Sequence, residues 1–524
     1  MTYKIDKNLI IVILSGLLFN YLFWMESLAL NLFLYSLFIL TVYLFTKDIR
    51  SKKLLVIAAS HLIASILVVI NQSDLTILTW YISLFVLVGY THYPQLRSIC
   101  TALLVSILQF TTAPFSLFKK VIEIEIGSVT LRPTLKLIKY LIFPTFILFL
   151  FSIIYSIANP VFSSYLTNFS ENIAQLFTHI FEFFFKDIKL ERILFLLLGI
   201  LFSTGVFICF KHGLASMECN LKNHLVRTRR QKKELTIYSE ISMLFIGNLK
   251  SKKMALKTEH TIAVISFIGL NTLLLFLNAI DFSTLWVGDI GSVDFSLALH
   301  GSTNALIISI VMAMCVILYF FNGNLNFYCK NKTLRILAYC WIVQNIFLVL
   351  SVLIRDYHYI DMHGLTYKRI GVIVFSLLCS IGLITVYIKV AKQKTFFYLY
   401  SINSLSWYAL LILFSTINWD VFIVSYNLKH KNATDLDVNH LMSMSNKTLP
   451  LLFENRELLK KYLSPTNAST SYFLVNAFEQ DLALRVEMFE KEWNRTTWLS
   501  WNYRDWQTMQ YLAKNNLRQN NRKK

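Results

Sequence analysis

The sequence predicts an all-α, polytopic transmembrane helical protein of about 11 spans with a small C-terminal soluble helical domain. Hydrophobic residues make up 56% of the chain and charged residues 15%, a balance far more apolar than that of a soluble protein. The apolar residues gather into runs near the length a helix needs to cross a bilayer. Lys and Arg concentrate in alternate connections, 29 on one predicted side against six in the short loops of the other, the asymmetry that orients membrane proteins. Topology therefore accounts for the net charge of +20, and no nucleic-acid partner is expected. The lipid bilayer is the expected partner, together with another membrane or envelope protein. The predicted place is the cell membrane, multi-pass, with the N-terminus cytoplasmic and the C-terminal domain extracytoplasmic.

Residues 1–97 read as an N-terminal four-helix transmembrane region, with apolar runs at 9–24, 28–45, 54–70 and 75–90. Residues 98–139 read as a segment on the cytoplasmic face. Although 98–118 is apolar enough to span, it is bracketed by Arg97 and by Lys119 and Lys120. Crossing there would turn the basic loop 211–257, with eleven Lys and Arg, outward, so an interfacial or re-entrant helix broken near Pro114 is expected instead. Residues 140–417 form the transmembrane core of about seven helices, at 140–157, 193–210, 261–280, 303–321, 336–354, 370–390 and 396–417, with 161–192 lying at the outer interface.

From Asn418 the character changes, and the last 107 residues carry 15 Lys and Arg and 11 Asp and Glu without a spanning run. Helical periodicity at 441–462 and 471–493 predicts a small soluble bundle in 418–524, ending in a disordered basic tail. Trp493, Trp498, Trp501 and Trp506, with Tyr503, either dock on the membrane surface or fill that domain's core, and the core reading leads. Seven cysteines form no CxxC pair, so neither a disulfide framework nor a zinc site is expected, and no cofactor is implied.

The densest polar constellation near the membrane surrounds the run at 336–354. Gln344 and Asn345 lie near its middle, where amides bind neighbouring helices. Arg355, Asp356, His358, Asp361, His363, Lys368 and Arg369 follow in what reads as one inter-helix turn around Gly364. Asp281 and His300 fall at predicted outer ends of neighbouring spans. A pairing of Arg355 with Asp281 or Asp356 would orient the helices at 261–280 and 336–354, whereas a proton or ligand site would need the same groups around a water-filled cavity. His358, Asp361 and His363 have the right elements for a metal but lack helical ligand spacing in an irregular turn. No GxSxG, HExxH or GxxxxGK[ST] motif occurs, so catalysis has no positive support.

Several segments carry a family resemblance in combination. They are LALNLFLYSLF in the first hairpin, ANPVF after 157, NAIDF after 277, LHGS before 303, LAYCWIVQN through RDYHYIDMHGLTYKRIGV, and NWDVFIVSYNLKH after 417. On these the chain resembles a bacterial multi-pass integral membrane family of unknown function, domain-of-unknown-function family 4173. The resemblance implies a fold and a compartment and supplies no reaction. Three readings follow: a non-enzymatic scaffold, sensor or accessory subunit; a transporter or channel-like protein using Gln344, Asn345, Arg355 and His300; and a membrane-embedded enzyme acting on a lipid-linked substrate near His300 and Asp281.

Overall fold

The computed structural model describes residues 6–46, 51–122, 125–126, 129–130, 144, 148, 151–153, 155–156, 159–184, 190–210, 213–227, 248–249, 256–286, 295–321, 324–430, 436–463 and 468–515. The regular elements among the described residues are helices, apart from two ladders of two-residue strands, 125–126 with 129–130 and 226–227 with 248–249, and a bridge between His224 and Lys394.

The N-terminal helices are α1 (Lys7–Phe23), α2 (Leu30–Thr46), α3 (Lys52–Asn71) and α4 (Asp74–His92). Their starts are written locally: the Asp6 side chain accepts from the Asn8 N–H, Ser51 from Leu54, and Ser73 forms a capping box with Thr76. The apolar stretch after Arg97 is a bent pair, α5 (Ile99–Thr111) and α6 (Ala113–Ile122), meeting at 52°. The break falls at Thr112, and Pro114 sits in the first turn of α6, where a missing N–H costs nothing. Gly89 lets α4 and α5 approach closely, since a Cβ there would lie 2.4 Å from the Ala102 carbonyl oxygen.

Of the segment at 140–157, more than half lies outside the described residues. Next come α7 (Pro160–Phe184), α8 (Leu190–Phe207) and the short α9 (Gly213–Cys219). The second half holds α10 (Leu256–Asp281) followed by a π-helical turn, α11 (Phe295–Phe320), α12 (Lys332–His363), α13 (Tyr367–Ala391) and α14 (Phe396–Ser415). Seven of the described helices, α3, α4, α8, α10, α12, α13 and α14, are long and apolar enough to cross a membrane, or eight if the bent pair is one span. α1, α2 and the part of α11 from residue 305 are apolar and shorter.

Three cores organise these helices. The first packs α1 to α5 and α8 around Tyr35, Trp80 and Leu87. Within it Ser15, Tyr35 and Ser203 close a ring of hydroxyls at 2.9–3.2 Å, which satisfies three buried polar groups at a helix junction. The second packs α10 to α13 around Phe267, Phe321 and Ile342. α14 lies between them, contributing Tyr408 to the first and Leu399 to the second.

The third core joins the tops of α12 and α13 to the C-terminal helices: α15 (Trp419–Lys429), α16 (Val438–Met442), α17 (Leu449–Glu454), α18 (Arg456–Leu463), α19 (Ala468–Arg495) and α20 (Tyr503–Lys514). This region shares its apolar core with membrane helices through Ile360, Leu365 and Ile370. Of the tryptophan cluster only Trp493 packs against that core, while Trp498 is 59% exposed and Trp506 and Tyr503 are also exposed. The stretch 498–500 reaches the first hairpin, where the Ser500 hydroxyl accepts from the Ser27 N–H at 2.9 Å.

Candidate functional site

The predicted polar turn after Ile354 is helical. α12 runs on through Asp356, His358, Asp361 and His363, and the connection to α13 is only Gly364 to Thr366. The apolar-to-polar change in sequence marks where the helix emerges from its apolar surroundings, not where it ends.

α10 and α12 run parallel, joined by a ladder of amides. Asn271 Nδ2 donates to the carbonyl oxygens of Phe267 and Leu337 at 2.7 and 3.1 Å. Carbonyl oxygens can only accept, so the amide orientation is fixed and Asn271 Oδ1 takes the Gln344 Nε2 proton at 3.2 Å. One turn or two further on, Asn278 Nδ2 donates to the Gln344 backbone oxygen at 3.1 Å. Asn345 stays on its own helix, donating to the Trp341 oxygen at 2.8 Å. At the end of the ladder Arg355 forms an ion pair with the buried Asp281, immediately before the π-helical turn.

The remaining candidates do not converge with this pair. Asp356 is buried. Arg369 lies over the Tyr359 ring at 4.3 Å, and that ring stacks on His363. Asp361 pairs with His430 at 3.0 Å, linking α12 to the end of α15. His358 packs edge-on to Tyr357, and Lys368 is exposed. His300 lies on α11, and its side chain lies outside the described residues. Among the described residues no group of three or more His, Cys, Asp or Glu could hold a metal.

Two buried charges fall outside these candidates. Lys389, 2% exposed, donates to the Phe321 carbonyl oxygen at 2.8 Å and so ties α13 to the end of α11. Glu218 on α9, within the basic loop, turns inward and accepts the Ser98 N–H at 2.9 Å, an anion at the start of α5. Burial raises its carboxyl pKa above the usual range, opposed by hydrogen bonds from Arg97 and Ser98. A carboxyl raised on folding binds its proton more tightly in the folded chain, so its contribution to stability falls as pH rises from the ordinary glutamate range through the raised value. Glu218→Gln keeps an acceptor for Ser98 and removes that slope. Melting curves in detergent are expected to show the parent losing stability relative to the variant as pH is raised from acid to neutral. Parallel curves would mean the carboxyl is solvated.

A concave feature lies where α4, α13 and α14 meet the C-terminal helices. It is a partly enclosed pocket of about 820 Å³. Its wall is apolar membrane helix: Leu78 from α4, Ile370, Val374 and Phe375 from α13, and Trp407 and Leu411 from α14. Its mouth is polar, formed by Gln72, Ser73 and Asp74 at the start of α4, Tyr367 at the start of α13, Asn418 and Asp420 at the start of α15, and Ser445 and Lys447 beyond.

The mouth is ordered by hydrogen bonds. Asp420 accepts from the Tyr367 hydroxyl and from the Ser445 N–H at 3.3 Å. Lys447 donates to the Gln72 carbonyl oxygen, and Asn502, the residue that caps α20, donates to the Gln72 side chain at 2.7 Å. Burial pushes the Lys447 ammonium pKa down, opposed by the carboxylates of Asp505, Asp420 and Asp74. A Cβ added at Gly371 would meet nothing within 4 Å, because that face of α13 opens into the pocket.

The described residues thus form a helical protein with seven helices long and apolar enough to cross a membrane and an amphiphilic recess beneath its C-terminal helices. The chain belongs to the family described as Domain of unknown function (DUF4153), which matches residues 32–455. A membrane family of unknown function was expected, but its number is 4153 and not 4173. No curated protein and no solved structure matches the chain.

Proposed function

We propose that the protein is a non-enzymatic lipid-binding membrane protein, a sensor or accessory subunit that draws one lipid chain or tail sideways from the bilayer into the pocket between α4, α13 and α14. The observation that carries this reading is the pocket's polarity gradient, with apolar walls on spanning helices and a charged mouth beneath the C-terminal layer. Ligand pockets of this size are lined mainly by apolar and aromatic groups with a few placed polar ones. The C-terminal layer is coupled to occupancy because Lys447, Ser445 and Asn502 build the mouth.

The eleven-span topology, with the N-terminus cytoplasmic and the pocket mouth extracytoplasmic in the cell membrane, belongs to the same proposal and is supported by the Lys and Arg asymmetry. The partners proposed are the bilayer and an envelope protein engaging the C-terminal layer.

A phospholipid bearing a photoreactive diazirine in its acyl chain is expected to label α13 and α14 at the pocket wall in the full chain. Gly371→Phe places a ring in the recess and is expected to abolish that labelling while leaving the melting temperature unchanged. Labelling spread evenly over the lipid-facing helices, and indifferent to this variant, would overturn the proposal.

A further inference from the structure

We infer that the lipid held in this pocket carries a zwitterionic head, an ammonium group beside a phosphate, as in phosphatidylethanolamine. The inference rests on the lipid reading above and specifies its head group. The mouth offers charges of both signs. Asp74 makes no hydrogen bond or ion pair among the described residues and is exposed at the pocket rim, where its carboxylate is open to a cation. Asp420 differs, since its oxygens are taken by Tyr367 and Ser445. Tyr367 and Trp419 add aromatic surface at the same level, a setting that favours an ammonium group.

Beside Asp74, Lys447, which donates to the Gln72 carbonyl oxygen, and the first turn of α13 favour an anion. Thr366 precedes that turn without capping it through its side chain, and Tyr367, the first residue of α13, lines the pocket. A purely anionic head would meet the Asp74 and Asp420 carboxylates. A purely cationic one would meet Lys447 and the helix terminus. A zwitterion satisfies both, with its ammonium at Asp74 and its phosphate towards Lys447.

The test uses the full chain, delipidated in detergent and offered dioleoyl phosphatidylethanolamine or dioleoyl phosphatidylglycerol, with retention read by native mass spectrometry. The ethanolamine lipid is expected to be retained about fivefold or more over the glycerol lipid, as one added ion pair supplies. Asp74→Asn is expected to erase the preference, Asp74→Glu to keep it, and Gly371→Phe to remove retention of both lipids. Equal or better retention of the glycerol lipid, or a preference untouched by Asp74→Asn, overturns the head-group inference and leaves the pocket reading standing. Retention of neither lipid by the parent chain overturns both.

Discussion

Replacing Arg355 by alanine is expected to destabilise the protein by about 3–5 kcal/mol, the cost of leaving a buried carboxylate without its counter-charge. The Asp281 side chain is 2% exposed and that of Arg355 14%, so water cannot take over the role of the guanidinium. Removing both charges together, as Asp281→Asn with Arg355→Met, is expected to recover most of the loss, because it is the unpaired ion that costs energy and not the absence of the pair. Denaturant or thermal unfolding in detergent measures both variants. If the single variant unfolds like the parent, the pair is hydrated and merely adjacent.

The second large effect is expected at Gly364, the residue that ends α12. It holds φ at +77°, with ψ at −178°, a region open essentially to glycine alone. An added Cβ would also lie 2.7 Å from Asn427 Oδ1, which accepts the Leu365 N–H at 2.6 Å while Asn427 Nδ2 donates to the Leu365 oxygen at 2.9 Å. Gly364→Ala is therefore expected to cost roughly 1–3 kcal/mol in backbone strain, and more as the Asn427 clamp shifts. Because Asn427 lies on α15, the damage falls on the docking of the C-terminal layer. Limited proteolysis is expected to cut between 436 and 515 faster in this variant, with the helices of the first core still protected. Unchanged cleavage would mean the layer docks without this clamp.

The helices long and apolar enough to cross a membrane were legible in sequence because each is an apolar run. Ser51 and Ser73 start α3 and α4 as their hydroxyls suggest. The end of α12 was misread for a physical reason: polarity reports surroundings, and a helix that continues beyond its apolar neighbours turns polar without unwinding. Gly364 was the better stop signal, since a backbone at positive φ must end the helix there.

Arg355 and Asp281 were visible as partners because each is a charge at the edge of an apolar run. The pocket was not visible. Its residues come from four stretches, the first some 290 to 375 positions before the others, and each looks ordinary where it stands: Asp74 and Asp420 as first-turn acids behind Ser73 and Asn418, Gly371 as a small residue in a span. Only tertiary packing turns these helix starts towards one recess. Glu218 was hidden by its setting in a basic loop, where a lone acid reads as a solvated charge.

The hydrogen bond between Ser27 and Ser500 joins residues 473 positions apart. It closes nearly the whole length of the chain, so it cannot form until every intervening helix has left the ribosome. Until then the loop between α1 and α2 waits with the Ser27 N–H and the Glu26 carboxylate lacking the hydroxyl that will bind them both. Contacts of such separation are the slowest to be made. The junction thus records that synthesis has passed residue 500, and a chain released before that point carries its first hairpin unsealed.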